Sequence, residues 1–257
     1  MKNVAIATIG MSPPVITEFI QYLHEGLGIK ISDLTIISTT DPFVKASVKL
    51  VTAAIKHKYP QIHTHESQLP FEDMDSWERM LEFMKIGAKI IHDAKIRHKA
   101  TSTYLCIAGG RKEGSVILSL LAQIIGVNMV AHIVAKDIKA FNIELERIKR
   151  YIEELGESNE PDTYYLKYKD LFEPVLFPHP SNYSVINIPI IPYPKKTLQD
   201  IMKLLLSKSP IPRGAIELPI DVLIGLSGAK LIKLGSKNIW VLNQGRELAL
   251  ALKDVIF

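Results

Sequence analysis

Short, almost unbroken apolar runs alternate with longer amphipathic stretches through the first 135 residues of the chain. The run from Asn3 to Ile9 ends at Gly10 and has the character of a strand covered on both faces. Ser12-Pro13 then reads as a helix start, a hydroxyl at the cap followed by a proline in the first turn. A helix is predicted over Pro13 to Glu25, with Val15, Phe19, Tyr22 and Leu23 on one face and Gly26 and Gly28 stopping it. The cycle repeats with a strand at Leu34 to Ser38, a cap and proline at Asp41-Pro42, and a helix to Lys58 carrying Val44, Val48, Val51 and Ile55 at helical spacing. An edge-like strand at Ile62 to Glu66, a loop at Leu69 to Asp75 and a helix from Trp77 to Lys95 make the third unit. A buried strand at Thr101 to Ala108, a turn at Gly109 to Lys112, a helix at Ser115 to Ile125 and a strand at Met129 to Val134 follow.

This order predicts an α/β fold, a Rossmann-like and mainly parallel sheet with helices on both faces. Past residue 135 the alternation stops. A long helix (Ile138 to Leu155) leads into a polar linker (Gly156 to Asp162) and a proline-rich stretch running from Pro174 through Pro192 to Pro194. Helices at Leu198 to Ser207, Ile220 to Leu226 and Arg246 to Val255 are predicted around two strands, Lys230 to Leu234 and Ile239 to Leu242, joined across Gly235-Ser236-Lys237-Asn238. The expected organisation is therefore a ligand-binding domain over 1–135 and a smaller, winged-helix-like α+β region over 136–257.

Composition adds little to this picture. Apolar residues are 47% and charged residues 23% of the chain, enough to bury a sizeable core. Cys106 is the single cysteine and sits in an apolar run, so intrachain disulfides and cysteine-rich zinc sites are excluded. The formal net charge of +4 permits an anionic partner without the dense basic blocks of a duplex-neutralising protein. The opening residues are too short for a signal segment, and no stretch of 18 apolar residues occurs, so a soluble cytoplasmic protein with no membrane partner is expected.

In an open parallel sheet, ligands bind beyond the carboxyl ends of the strands where strand order reverses. Two loops fall there. The first, Thr8-Ile9-Gly10-Met11-Ser12, offers a glycine for close backbone approach, a hydroxyl and the free N–H groups of a helix start. A plain turn with a serine cap explains the same residues. The second, Gly109-Gly110-Arg111-Lys112 followed by Ser115, adds a guanidinium that grips phosphate bidentately and an ammonium point charge. Thr39, at the end of the second strand, joins this ligand-facing set. Neither the glycine fingerprint of dinucleotide-binding proteins nor the phosphate loop of nucleotide triphosphatases is present, so no cofactor is expected. His63 and His65 share a strand face but lack a third ligand, and His132 reads as a packed residue, so no metal is expected. Glu72, Asp73 and Asp75 are expected to cap the Trp77 helix.

Ala7-Thr8-Ile9-Gly10-Met11-Ser12-Pro13-Pro14-Val15-Ile16-Thr17-Glu18 and Ala108-Gly109-Gly110-Arg111-Lys112 resemble the paired signatures of CRISPR-associated Rossmann (CARF) domains, and most closely those of standalone ring nucleases. The resemblance covers residues 1 to 135. It implies a homodimer that binds cyclic tetra-adenylate across a two-fold axis and cuts it without metal to linear di-adenylate ending in a 2′,3′-cyclic phosphate, switching off type III CRISPR antiviral signalling. It further implies Ser12 and Lys169 as catalytic residues, Lys169 lying in the cluster Lys167-Tyr168-Lys169, and Asp73 as a contact to adenine or ribose. The alternative is a non-catalytic CARF sensor whose C-terminal region binds DNA and regulates transcription, a reading the short C-terminal region does not favour. An appended effector ribonuclease would need Arg-x4–6-His, which no arginine of this chain begins.

Overall fold

Five β-turn-α units set the frame in this computed structural model, which describes residues 2–257 apart from His98, Pro192 and Ser209. Strand β1 (Asn3–Thr8) leads to α1 (Pro14–Gln21), which runs on as one π-helical turn through Gly26. Then come β2 (Asp33–Ser38), α2 (Pro42–Lys58), β3 (His63–Gln68), α3 (Trp77–Ile96), β4 (Ser102–Cys106), α4 (Lys112–Ile125), β5 (Met129–Ala135) and α5 (Ile138–Glu157). The chain continues with α6 (Pro161–Lys167), α7 (Lys169–Leu176), β6 (Tyr183–Ile188), α8 (Lys195–Leu206), β7 (Ile211–Pro212), α9 (Ile220–Gly228), β8 (Ile232–Leu234), β9 (Asn238–Val241) and α10 (Asn243–Ile256).

The main sheet has the order β3-β2-β1-β4-β5-β6, with β1 to β5 parallel and β6 antiparallel to β5. β1 has β2 on one side and β4 on the other, so strand order reverses between β1 and β4. One core packs α1, α2, α5 and α7 on one face of the sheet; its fully buried members include Phe19, Ile20, Leu50, Ile152 and Phe172. The other holds Phe83, Ile91, Leu118 and Leu121 of α3 and α4 against Ile6 and Leu105.

The predicted mainly parallel sheet with helices on both faces is what the chain forms. The expected break after residue 135 has a different meaning in the fold. Residues 138–188 cover α1 and α2 and add β6 to the sheet, while only the chain from α8 onward builds the small antiparallel sheet β7-β9-β8. The Gly156 to Asp162 linker is short, because α6 starts at Pro161 and docks against α2, where Lys56 pairs with Asp162. The C-terminal elements do not stand apart. Ile232, Ile239, Ala249 and Leu252 join the core of α3 and α4, and the Trp77 indole donates to Glu247 at 2.7 Å.

Candidate functional site

The loops after β1 and β4 cross at the switch point, and glycines make the crossing possible. A Cβ on Gly10 would lie 2.8 Å from the Gly110 nitrogen, and one on Gly109 would overlap the Thr8 carbonyl oxygen. Gly110 itself has φ of +80°, a conformation that side chains disfavour. The buried Thr8 hydroxyl donates to the Gly109 carbonyl at 2.6 Å and ties the loops together. Ser115 has a parallel task, its hydroxyl donating to Ile107 at 2.7 Å and fastening α4 to the end of β4.

Above the crossing lies a cavity of about 290 Å³ lined by Ile9, Gly10, Met11, Ser12, Thr39, Asp41, Val44, Glu72, Ala108, Gly109, Gly110 and Arg111. Among the described residues, the N–H groups of Gly10, Met11, Ser12, Gly110 and Arg111 have no hydrogen-bond acceptor. Converging free donors of this kind hold an anion. Ser12 precedes α1 by two positions, and the residue at the cap, Pro13, has no side-chain cap bond. The Ser12 hydroxyl makes no hydrogen bond among the described residues, so the expected serine cap is not formed and the hydroxyl is left for the cavity.

Charge in the cavity is mixed. Arg111 occupies the cap position of α4, which starts three residues earlier than expected, and its guanidinium binds Asp73 at 2.8 Å. Asp73 also accepts from the Met74 N–H, and the cap of α3 is Ser76, so the acidic loop anchors Arg111 instead of capping the helix. Asp41 and Glu72 line the cavity, and Asp41 simultaneously caps α2 by accepting from Val44 at 2.9 Å. Lys112 is exposed and lies outside the lining, which leaves Arg111 as the cation of the pocket among the described residues.

Of the sequence-predicted residues, the fold brings Ile9, Gly10, Met11, Ser12, Thr39, Gly109, Gly110 and Arg111 to one cavity. Thr8, Asp73 and Ser115 lie behind it as supports. Lys169 is not among its lining residues; it opens α7 and pairs with Glu173 at 3.6 Å. Sequence reasoning missed Asp41, Val44, Glu72 and Ala108 as lining residues. Asp41 carried a signal in the Asp-Pro cap, but its second role toward the cavity follows from where β2 ends beside β1.

Residues 12–216 match the family described as CRISPR-associated protein NE0113 (Cas_NE0113). The chain belongs to that family. The CRISPR-associated kinship expected from the two loop signatures is thereby shown. A further relative is the CRISPR system ring nuclease SSO2081 of Saccharolobus solfataricus, 27% identical over 162 residues, which span 60% of this chain and 81% of that one. Among solved structures, Enterococcus italicus Csm6 bound to cyclic hexa-2′-fluoro-hexa-dAMP aligns with 80% of this chain and 46% of its own at 10% identity and a TM-score of 0.46. The chain thus spans about half the length of that neighbour. His63 and His65 stand exposed on the edge strand, with His65 3.4 Å from Asp33, and no group of three or more metal-ligating side chains occurs among the described residues. Nor is any helix there long and apolar enough to cross a membrane.

Proposed function

We propose that this member of the NE0113 family is a ring nuclease that binds cyclic tetra-adenylate across a homodimer and opens it without metal. The observation that carries the reading is the switch-point cavity, where five unbonded N–H groups, an uncommitted Ser12 hydroxyl and Arg111 converge. The likeness to a curated ring nuclease agrees with it.

In the proposed reaction the ribose 2′-oxygen forms a bond to the adjacent phosphorus while the bond from phosphorus to the 5′-oxygen breaks. The 2′-hydroxyl loses its proton, the leaving 5′-oxygen gains one, and the product ends in a 2′,3′-cyclic phosphate. Two cuts of the ring yield two linear di-adenylates. Positioning and electrostatics supply the acceleration: free N–H groups and Arg111 stabilise the charge that grows on the phosphorane, and Ser12 holds the reacting 2′-hydroxyl in line. Asp41 and Glu72 suit ribose hydroxyls and adenine amino groups. Lys169 donates to the leaving oxygen after ligand and partner protomer bring α7 to the ring. Thr8, Lys112 and Ser115 shape the loops and their field, and Asp73 presets Arg111.

Incubating the protein with cyclic tetra-adenylate in excess EDTA and resolving products by mass tests the reading. Di-adenylate with a cyclic phosphate is expected, and an unchanged ring overturns it. A second reading, a DNA-binding sensor, draws on charge: residues 195–257 hold ten lysines and arginines against five acidic residues, whereas the chain as a whole is only +4. A gel shift with duplex DNA that responds to the ring, combined with an intact ring, would favour it.

A further inference from the structure

A second cavity, of about 380 Å³, opens at the carboxyl end of β5. Its walls come from α1 (Glu18), the end of β5 and start of α5 (Lys136, Asp137, Phe141, Glu144) and α7 (Val175). The volume falls within the roughly 300–1,000 Å³ typical of small-molecule sites. Glu18 is 2% exposed, and among the described residues its carboxyl has neither a hydrogen-bond nor an ion-pair partner. The carboxyl of this largely buried residue meets the cavity, so a ligand seated there can complete its hydrogen bonding. The rest of the lining narrows the ligand. Phe141 offers a flat apolar face, and Val175 and Pro174 continue it, which suits a planar ring better than a compact ammonium ion.

The cavity also belongs to the same edge of the sheet as the phosphate loops. Glu18 lies about 6 Å along α1 from Pro14, the first helical residue after Ser12. The two cavities share no lining residue, so a nucleotide with its phosphate at the loops would have to extend along α1 to meet Glu18. We propose that this cavity seats an adenine base of the ring, with the Glu18 carboxyl paired to the N1 and N6 edge. A protonated carboxyl matches that edge in both directions, its O–H donating to N1 and its carbonyl oxygen accepting from the 6-amino group. Burial raises the Glu18 pKa from 4.5 to about 7, which keeps a substantial protonated fraction near neutrality. The assignment rests on the ring-nuclease reading and adds to it a base-recognition subsite.

The test measures binding of cyclic tetra-adenylate, and of the same ring lacking its 6-amino groups, by calorimetry. The parent protein carries Ser12→Ala to slow cleavage, and mass analysis after each titration checks that the ring is intact. Glu18→Leu should weaken binding of the adenine ring about tenfold or more, whereas Glu18→Gln, which presents the same donor and acceptor pair to adenine, should stay within about threefold of the parent. Removing the 6-amino groups should weaken binding to the parent by clearly more than it weakens binding to Glu18→Leu. Thermal denaturation of each variant separates misfolding from lost contact. The subsite is overturned if Glu18→Leu binds as tightly as the parent, or if loss of the amino groups harms Glu18→Leu as much as the parent. A parent that binds no ring at all overturns the ring-nuclease reading as well.

Discussion

Ser12 shows how a residue read in two ways from sequence is separated by its hydrogen bonds. A serine cap contributes about 0.5–2 kcal/mol to a helix, but the Ser12 hydroxyl bonds no helix N–H. Ser12→Ala should therefore leave the denaturation midpoint nearly unchanged while lowering kcat by about tenfold or more with little change in KM. A fall in stability with unaltered turnover would restore the capping role. Gly109 makes the opposite case, because its α-hydrogen faces the Thr8 carbonyl at contact distance and a methyl there must displace one of the crossing loops. Gly109→Ala should cost several kcal/mol in chemical denaturation, in the upper tail of single substitutions, while Gly214→Ala, which meets open space, should cost little.

Glu18 adds a pH dependence whose sign follows from its environment. Its carboxyl titrates near 7 in the folded chain and near 4.5 when exposed, so the folded state holds the extra proton between those values. Stability is then greatest below pH 4.5 as far as this group is concerned, falls on the order of 2–3 kcal/mol as pH rises toward 7, and levels off above. Its neighbours Cys106 and Tyr183, pushed up to about 12, do not titrate in that window. Lys136, Asp137 and Glu144 share the cavity and remain in a Glu18→Gln comparison. Melting curves of wild type and Glu18→Gln from pH 4.5 to 8 should diverge as pH rises, the variant being the more stable at the alkaline end; parallel curves would contradict the burial effect.

Among elements, the legible ones carry local signals. The Asp41-Pro42 start of α2 was visible because an aspartate cap and a first-turn proline act within four residues, and Asp41 does cap Val44. The β1, β2, β4 and β5 strands were visible because both of their faces are covered, which leaves an unbroken apolar run. β6 went unread. Its sequence Tyr183-Ser184-Val185-Ile186-Asn187-Ile188 lies in a proline-rich context, and an edge strand covered on one side carries a weaker pattern. β7, only two residues long, exists through its pairing with β9 and has no local signature. At the start of α4, Lys112 to Gly114 looked like turn because glycines and charges surround them, yet they are helical, and Gly114 is buried where an added Cβ would crowd Met74 and Phe83.

At the scale of the whole molecule, the C-terminal elements share one apolar core with α3 and α4, so the chain should unfold in a single transition. Leu252 is 3% exposed in that core. Leu252→Ala should destabilise the entire chain by about 2–5 kcal/mol. Single-tryptophan variants retaining Trp77 on α3 or Trp240 on β9 should report one common midpoint, and two separate midpoints would mark the C-terminal part as an independent domain. Lys169 poses the complementary question. Because it stands outside the cavity lining, Lys169→Ala should slow cleavage without changing ring affinity by more than about threefold, and an equal loss of both would make it a binding residue.

The amino-acid order alone determined the alternation of strands and helices, the two glycine-bearing turns and the polar groups within them, because apolar period, caps and prolines act over a few residues. It also carried the family resemblance, since loop signatures are contiguous. Tertiary structure decided what lies side by side: that Gly10 and Gly110 cross, that Asp73 restrains Arg111, that Thr8 and Ser115 turn inward while Ser12 stays free, and that Glu18 faces a cavity formed with α5 and α7. Those outcomes depend on strand order and on contacts between residues a hundred or more positions apart in the chain, such as Thr8 and Gly109 at a separation of 101. Local patterns encode which way a segment folds, but only the closing of the sheet chooses its neighbours.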